Sequence, residues 1–455
     1  MVFRRFRGGA PMPEPLRETV LEPGTAAGVS RRRFLGAIAA GSAGALLAGG
    51  ASRAEARASL TVIEQAREDA LPEEDFWSKV RGEFLISEEL AYMNSGTLGP
   101  MPKPVFYAVV DGYRALAADP GRENARQLEA QDDLRQKLAD FVNADAGEVA
   151  LTRNTTEGMS FIANGLDLKA GDEVLCTFHE HPGGLEPWKI KAKRHGVVVK
   201  ELPFPVPPSD PSEILNRFED AITPRTRVIS VSHVTFPTGC VLPVKELAAL
   251  ARSRGILTLA DGAHAIGMLD LDMQDLGVDF YASSPYKWAG APVGTGFLYL
   301  RRESQERVWP TVATMGWDDE ETGARRYDRL SQRAGPLLLA TITALGFQNA
   351  IGRGRIEQRI MALAARLRER LGEIAGVTLY ASDDRELCSG LTGFTLEGFG
   401  RTEVVETLWR RNRVWVREID YGLSTVRAST HHFNTADQVD RLAEGVRQIF
   451  SEGTL

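Results

Sequence analysis

Short apolar segments alternate with segments of helical periodicity along most of the chain. The apolar segments are rich in β-branched residues, which favours strands, and they lie at Glu148–Thr152, Asp172–Thr177, Val197–Leu202, Arg227–Ser232, Ile256–Ala260 and Asp279–Ser283. Apolar residues at helical spacing lie in Arg122–Asn143, Leu185–His195, Pro211–Ala221 and Pro243–Arg254. This alternation predicts an α/β fold with a mostly parallel sheet that is covered by helices on both faces.

A smaller α/β unit is predicted at the C-terminal end. A long helical stretch near Ala340–Ile374 is followed by strands near Gly390–Leu396, Arg413–Arg417 and Thr425–Ser429, with helices at Thr402–Arg411 and Thr435–Phe450. A Gly/Pro-rich loop is expected at Leu98–Pro104. The expected boundaries are 57–100 for an N-terminal arm, 101–340 for a large domain, and 341–455 for the long helix and the small domain.

The first 56 residues have the pattern of an export signal. Ser30-Arg31-Arg32-Arg33-Phe34-Leu35-Gly36 precedes a weakly apolar stretch from Ala37 to Gly50, and Ala54-Glu55-Ala56 is a small-x-small cleavage pattern. This order resembles a twin-arginine (Tat) signal, which the Tat translocase recognises and which is not an anchor. A disordered basic leader before a weak helix is the alternative. The resemblance implies a periplasmic protein; the pattern places cleavage after Ala56, and whether the signal is cleaved there stays open.

Composition narrows the classes of function. The chain has 61 acidic and 54 basic side chains, and its formal charge of −7 argues against an electrostatic grip on nucleic acid. The 3 cysteines cannot build a disulfide framework, and their spacing does not suggest zinc. Since no other apolar run is long enough to cross a bilayer, we expect a soluble protein without a stable membrane anchor.

Ligands of parallel sheets bind at the carboxyl ends of the strands, so the chemistry is sought there. Lys287 follows a predicted strand in Tyr281-Ala-Ser-Ser-Pro-Tyr-Lys287-Trp288, where partial desolvation would free its amine as a Schiff-base nucleophile. A surface lysine is the alternative. Asp261 ends another predicted strand, where a carboxylate is costly unless it meets a cation. It would pair with a protonated pyridine nitrogen, or it would simply cap a helix.

Hydroxyl-bearing residues at two strand ends could hold a phosphate. Thr155 and Thr156 open a helix directly after a strand, where free backbone N–H groups attract anions. Ser284 and Tyr286, close before Lys287, could add two hydroxyl donors. Helix capping alone is the alternative explanation for the two threonines.

Histidines follow two further predicted strands. His181 could stack on an aromatic cofactor, whereas a metal site at His179 and His181 lacks further ligands at useful spacing, so no metal is expected. His233, in Ser232-His233-Val234, could hydrogen-bond a phenolic oxygen or be a structural histidine.

The order of these features resembles the class-V aminotransferase family of fold-type I pyridoxal 5′-phosphate (PLP) enzymes. The resemblance runs from Ala91-Tyr-Met-Asn-Ser-Gly-Thr-Leu-Gly-Pro100 to Asn434-Thr435-x-x-x-Val439-Asp440-Arg441-Leu442, nearly the whole mature chain. The family includes cysteine desulfurases, kynureninases and isopenicillin N epimerase. The resemblance implies a large domain with a mostly parallel seven-stranded sheet, a small C-terminal α/β domain, PLP as cofactor and a homodimer.

The resemblance also assigns roles. Lys287 would carry the cofactor and move the substrate proton, Asp261 would pair with the pyridine nitrogen, and His181 would stack on the ring. The phosphate would be held by Thr155, Thr156, Ser284 and Tyr286. His233 and His264 would lie near the ring oxygen. Arg427 would bind a substrate carboxylate, with a structural arginine as the alternative, and Asn94 would face the substrate or serve only a turn.

Two departures from the family pattern affect the expected reaction. Desulfurases carry a persulfide-forming cysteine between the arginines that match Arg417 and Arg427, whereas the segment 418–426 is short and lacks cysteine. The family's Gly-Thr-Pro segment, whose threonine reaches the partner subunit's phosphate, has Ala334-Gly335-Pro336-Leu337 in its place, so the details of the dimer contact stay open.

The expected function is therefore exported PLP chemistry at the amino-bearing carbon of an amino acid, amine or small peptide. The motifs His-Glu-x-Pro-Gly, Ser-His-Val and Lys-Trp resemble those of isopenicillin N epimerase-like proteins, and periplasmic enzymes that tailor the siderophore pyoverdine share the combination with a Tat signal. Transamination, epimerisation or related tailoring is favoured. A C–S or C–C lyase of the hercynylcysteine-lyase or kynureninase kind is the alternative, and a cysteine desulfurase or a noncatalytic binder is disfavoured.

Overall fold

The computed structural model describes residues 61–453, and the expected export signal lies outside them. The strands are, in chain order, β1 (Ala91–Tyr92), β2 (Val149–Thr152), β3 (Glu173–Thr177), β4 (Val198–Leu202), β5 (Thr226–Ser232), β6 (Leu257–Asp261), β7 (Phe280–Ser283), β8 (Gly296–Leu300), β9 (Val377–Leu379), β10 (Leu391–Leu396), β11 (Val414–Trp415), β12 (Arg417–Tyr421) and β13 (Leu423–Ser429). The large sheet has the order β2-β8-β7-β6-β5-β3-β4, and β8 is its one antiparallel strand. The expected mostly parallel seven-stranded sheet is confirmed.

Helices cover both faces of this sheet and the outer face of a smaller one. They are α1 (61–68), α2 (Glu73–Gly82), α3 (Lys103–Ala118), α4 (Pro120–Val142), α5 (Thr155–Gly165), α6 (Pro182–His195), α7 (Ser212–Ala221), α8 (Val244–Ser253), α9 (Met273–Leu276), α10 (Gly335–Ile351), α11 (Arg353–Gly372), α12 (Arg401–Asn412) and α13 (Ala436–Glu452). Neighbouring residues of β5 show the two-sided burial, because Val228 packs into one apolar cluster and Ile229 into the other. None of the helices in residues 61–453 is long and apolar enough to span a membrane.

The smaller sheet is antiparallel, with the order β12-β13-β10-β9. Val426 and Ala428 of β13 pack with Val439 and Leu442 of α13. The alternate residues of β13 therefore face the large sheet, since side chains alternate across a strand. Arg427 is one of them, and its Nη1 donates to the carbonyl oxygen of Phe236 at 3.0 Å.

The sequence predicted the six parallel strands to within about two residues but missed β8 and α3, as well as the short strands β1 and β9 and the helices α1, α2 and α9. The long helix expected near Ala340–Ile374 is two helices, α10 and α11. They are separated by Gly352, whose φ of 102° interrupts the helix and suits only glycine. The strand expected at Arg413–Arg417 is also divided, because Val414–Trp415 pairs with β1 and β12 begins at Arg417. The domain boundaries stay a prediction.

A buried ion pair anchors the free edge of the large sheet. Arg135 of α4 donates from Nη2 to both carboxylate oxygens of Asp328 at 2.9 Å, and both side chains are almost fully buried. Asp328 Oδ2 also accepts from the backbone N–H of Leu151 in β2. Asp328 thus satisfies an edge-strand donor close to the start of α5.

We predict that Asp328→Ala lowers the free energy of unfolding by about 3 kcal/mol, because it leaves Arg135 as a buried cation without this partner. Asp132→Ala is the matched control, since Asp132 bonds the same arginine from the surface and should cost less than about 1 kcal/mol. Denaturant unfolding of the two variants and the wild type measures both losses in the free energy of unfolding. Equal losses would contradict the assignment.

Candidate active site

The residues predicted from five strand ends come together at one edge of the large sheet. Thr155 follows β2, His181 follows β3, His233 follows β5, Asp261 ends β6 and Lys287 follows β7. These strands are parallel to one another, so their carboxyl ends open into the same cleft.

Lys287 is half-buried, and its surroundings favour the neutral amine. Its Nζ makes no hydrogen bond or ion pair within residues 61–453. Desolvation by the surrounding protein lowers the pKa of Lys287 to about 8; nearby Asp261 opposes this shift and the cation of Arg427 adds to it. A lysine in this state is a nucleophile near neutral pH, which favours the Schiff-base role over a surface lysine.

Asp261 uses one carboxylate oxygen to order its own loop and leaves the other free. Oδ1 accepts from the backbone N–H of Ala263 at 2.9 Å, while Oδ2 has no hydrogen-bond partner in the described chain. Burial raises the pKa of Asp261. An added Cβ at Gly184 would lie 3.2 Å from Oδ2, so a side chain there would crowd this oxygen. The free oxygen suits a protonated ring nitrogen, whereas Oδ1 orders a turn. The alternative, a helix cap, is wrong, because residues 262–272 contain no helix start.

Glu180 is a buried carboxyl group that the sequence analysis did not single out. Its Oε1 accepts from the hydroxyl of Thr177 at 2.6 Å, and its Oε2 bonds the hydroxyl of Ser232 at 2.7 Å. Burial, reinforced by the charge of Asp261, raises the pKa of Glu180 to about 7. Near neutral pH Glu180 therefore retains a proton more readily than an exposed carboxyl group.

Two of the predicted phosphate ligands are in direct contact. The backbone N–H of Thr155 donates to Ser284 Oγ at 2.9 Å, and the two hydroxyl oxygens lie 2.7 Å apart. Asn154 caps α5 by accepting from the N–H of Glu157 at 2.9 Å. Thr155 is therefore the first residue of an eleven-residue helix, as the anion cup requires.

The other two predicted phosphate ligands flank this cup less directly. Thr156 is exposed and lies against Gly183 of α6, where an added Cβ would collide with its hydroxyl. Tyr286 contributes its carbonyl oxygen, which accepts from the N–H of Gly99 at 3.0 Å. The phosphate roles of their hydroxyl groups stay a prediction.

His181 presents an uncharged ring inside the cleft. It caps α6, and its Nδ1 accepts from the N–H of Gly183 at 3.0 Å. Its pKa is lowered to about 4, first by desolvation and then by the cations of Lys287 and Arg427. Phe236 meets the ring edge-on with centroids 5.1 Å apart, and the side chain remains exposed. The ring is therefore accessible for stacking.

The two histidines expected near the ring oxygen have different partners. His233 is buried, and its Nδ1 lies 2.8 Å from the hydroxyl oxygen of Tyr281. Nδ1 of His264 accepts from the indole N–H of Trp288 at 3.3 Å. The pKa of His264 is far below its ordinary value because of burial, with further lowering from Lys287, Arg427 and His181. His264 is thus a neutral group close to all three.

Arg427 is a buried guanidinium group without a carboxylate partner in residues 61–453. It donates to Phe236 O at 3.0 Å and to Thr97 Oγ1 at 3.2 Å, while its Nε has no partner there. Desolvation, with a further contribution from Arg417 directly opposite on β12, lowers its pKa to about 9. A buried cation in this state is stabilised by an incoming anion.

Asn94 stabilises a turn beside Arg427. Its Oδ1 accepts from the hydroxyl of Thr97 at 2.8 Å, and Thr97 in turn accepts from Arg427. Its contact with a substrate stays a prediction.

The site residues fit PLP. A free carboxylate oxygen, an unpaired lysine amine, an accessible imidazole ring and a hydroxyl-lined helix start are the donors and acceptors that the pyridine nitrogen, aldehyde, ring and phosphate require. Within residues 61–453, no group of three or more His, Cys, Asp or Glu side chains is placed to hold a metal ion.

Comparison with known proteins agrees with this chemistry. The model of the aminotransferase class-V family matches residues 91–442. The isopenicillin N epimerase of Streptomyces clavuligerus is 34% identical over 394 residues, which cover 83% of this chain and 99% of that protein. A probable cysteine desulfurase of Methanothermobacter thermautotrophicus is 29% identical and covers 82% of this chain and 98% of its own length. The chain belongs to the aminotransferase class-V family, and it is a PLP-dependent enzyme of the aminotransferase and epimerase type.

A solved structure shares the same fold. A mutant of C-DES, with glycine covalently linked to its PLP cofactor, superposes with a TM-score of 0.74 at 25% identity, covering 81% of this chain and 98% of that one. The complex of the cystine C–S lyase C-DES with its product, cysteine persulfide, gives 0.73 at 27% identity, with 78% and 97% covered. The fold-type I architecture is confirmed.

We predict that the apoprotein captures PLP at a rate that rises with pH and levels off above about 8. Below its pKa of about 8 Lys287 is mostly protonated, and above that value it is mostly the neutral nucleophile. At pH 7 its neutral fraction exceeds that of an ordinary lysine roughly 300-fold. Growth of the near-visible absorbance band after mixing measures the rate.

Lys245→Ala is the matched control, because Lys245 is exposed and paired with Asp275, so its capture rate should equal that of the wild type. Lys287→Ala should give no band. A rate that still climbs tenfold per pH unit above pH 9 would contradict the lowered pKa.

Proposed function

We propose that the protein is an exported enzyme that uses PLP to move a proton at the amino-bearing carbon of an amino acid or small peptide. Transamination, epimerisation or a related tailoring step would follow. The 34% identity with an isopenicillin N epimerase supports epimerisation within this set.

Arg427 is the observation that carries the substrate class. Its guanidinium group is buried, its charge lowers the pKa of Lys287, His181 and His264, and it lacks a carboxylate partner in the described chain. Guanidinium groups bind carboxylates through two parallel hydrogen bonds, and Nε is still free to donate. A substrate with a carboxylate next to its amino group would compensate this buried charge.

The other site residues have complementary roles. When bound, PLP supplies the electron sink that acidifies the carbon bearing the amino group. Lys287 holds the cofactor and, with its low pKa, accepts and returns the proton. Asp261 would keep the ring nitrogen protonated, and His181 would stack on the ring.

The hairpin β12–β13 supports a reaction other than cysteine desulfuration. Tyr421 and Leu423 pair directly across Gly422, so the turn is tight and has no cysteine. Cys176, Cys240 and Cys388 are buried, and burial raises the pKa of each thiol, that of Cys240 to about 12. None of the three is an available thiolate.

A C–S or C–C lyase is the second candidate. The fold similarity to the cystine C–S lyase C-DES, at 27% identity, favours it. Proton removal at the same carbon precedes elimination, so the site residues alone do not separate the two reactions.

We predict that the mature protein exchanges the α-hydrogen of its amino acid substrates with solvent. In D₂O, proton NMR of a panel of L-amino acids should show loss of the α signal, and Lys287→Ala should abolish it because the acid–base group is gone. Lys245→Ala should exchange at the wild-type rate. No exchange with any amino acid or short peptide by a PLP-loaded protein would reject the proposal.

The products then separate the reactions. Appearance of the D-isomer without a keto acid supports epimerisation, and a keto acid with an aminated acceptor supports transamination. Pyruvate, alanine or a sulfur product without an acceptor supports the lyase.

We also propose that Arg31 and Arg32 direct export in the folded state, which would retain PLP loaded in the cytoplasm. In a host with a Tat system, replacing both arginines with lysine should leave the full-length protein in the cytoplasm. Replacing Arg4 and Arg5, which precede the motif, is the matched control and should not change export. Periplasmic processing of the Arg31/Arg32 variant would contradict a Tat signal.

A further inference from the structure

His264 is held by a hydrogen bond whose direction is fixed by chemistry. Its Nδ1 lies 3.3 Å from Nε1 of Trp288. An indole nitrogen carries a proton and can only donate, so Nδ1 of His264 must accept. Nδ1 therefore carries no proton.

The proton of the neutral ring is then on Nε2. Burial keeps the pKa of His264 far below its ordinary value, so the ring is neutral at physiological pH. A neutral imidazole has one N–H, and with Nδ1 unprotonated this is Nε2–H. Nε2 has no partner within residues 61–453, so an N–H donor remains available beside Lys287, Arg427 and His181.

Both the backbone and the indole of Trp288 have defined contacts. Its side chain is fully buried. Its carbonyl oxygen accepts from Nε2 of His431 at 3.0 Å and from Nε2 of Gln348 at 3.2 Å. The ring of His431 stacks on the indole, with centroids 5.3 Å apart and planes 6° from parallel. Trp288 follows Lys287 directly, so the same contacts also fix the backbone of that lysine.

The neighbouring His233 lacks such control. Its Nδ1 lies 2.8 Å from the hydroxyl oxygen of Tyr281, and a hydroxyl group can donate or accept. Its proton can therefore sit on either nitrogen. Of the two histidines expected near the ring oxygen, only His264 has a partner that dictates the tautomer.

We propose that Trp288 is a positioning residue: its indole N–H fixes His264 as the Nε2–H tautomer, and His264 then donates to the phenolic oxygen of PLP. This deepens the proposed function and rests on its PLP site but not on which reaction follows. A neutral imidazole stabilises the oxygen as an anion but does not give it a proton. A charged imidazolium in the same place could transfer its proton to the oxygen.

The tautomer is tested first on the apoprotein, so the result does not depend on activity or on PLP. The chain has 7 histidines, and ¹⁵N-histidine labelling limits the NMR spectrum to them. His264→Gln assigns the signal of His264. We expect an unprotonated Nδ1 and a protonated Nε2 at pH 7.5 in the wild type, and a mixture of tautomers in Trp288→Phe, which keeps an aromatic ring but removes the donor. A wild-type His264 with a protonated Nδ1 would overturn the proposal without any variant.

The effect on the cofactor is tested by a double-mutant cycle. The midpoint of the pH-dependent absorbance change of the Lys287-bound cofactor should rise by about one pH unit in Trp288→Phe, because loss of a donor to the anionic oxygen disfavours the deprotonated form. In the His264→Gln background an amide N–H takes the place of the ring N–H. The amide N–H does not depend on the indole. Trp288→Phe should therefore change the midpoint in this background by less than about a third of the change expected in the wild-type background. Equal changes in both backgrounds would show that Trp288 acts through packing alone and would reject the positioning role.

Trp309→Phe is the matched control for the substitution itself. Trp309 is exposed, and its indole N–H donates to Asp167 at 3.1 Å, far from these contacts along the chain. It should leave both the His264 signals and the absorbance midpoint unchanged. Failure of the protein to bind PLP would reject the proposed function, whereas the NMR result on the apoprotein would still decide the tautomer.

Discussion

Burial of charge without a matching protein partner is the constraint on which the site depends. Lys287 and Arg427 are both in surroundings that lower the pKa of a cation, and neither forms an ion pair within the described chain. The same desolvation raises the pKa of Asp261 and Glu180. Uncompensated charges destabilise the folded protein, so a ligand that supplies a pyridinium nitrogen, a phosphate and, as proposed for Arg427, a carboxylate would stabilise the site.

The rest of the fold brings these charges together. Parallel strands place their carboxyl ends at one edge, and apolar side chains pack against both faces of the sheet. The small sheet turns its apolar face to α13 and supplies Arg427 from the other face. The segment after β1 closes on the lysine loop through the bond from Gly99 to Tyr286. Three distant parts of the chain thus meet at Lys287.

Sequence patterns predicted those features that depend on local order. β-branched segments marked the parallel strands, and polar residues directly after them marked Lys287, Asp261 and His181. β8 was missed because a βαβ rhythm predicts a helix after each strand, whereas β8 returns antiparallel beside β7 after a Gly-rich loop. The elevated pKa of Glu180 was also missed, since it depends on burial and on Asp261, which lies far away in sequence.

Lys287 and Trp288 are adjacent, but only the role of Lys287 can be predicted from local sequence. A lysine between a tyrosine and a tryptophan at a strand end suggests reactive chemistry from the sequence alone. The role of the indole cannot be predicted from the sequence, because its partner His264 is 24 residues away. The proposed role also depends on which of the two groups donates the hydrogen bond, and this is known only once the contact is seen. Relatives of this chain carry the names epimerase and desulfurase on one scaffold. Relatives with different reactions therefore share this scaffold, and the tight hairpin after Tyr421, which has no thiol, is a local feature in which this chain departs from the desulfurase pattern.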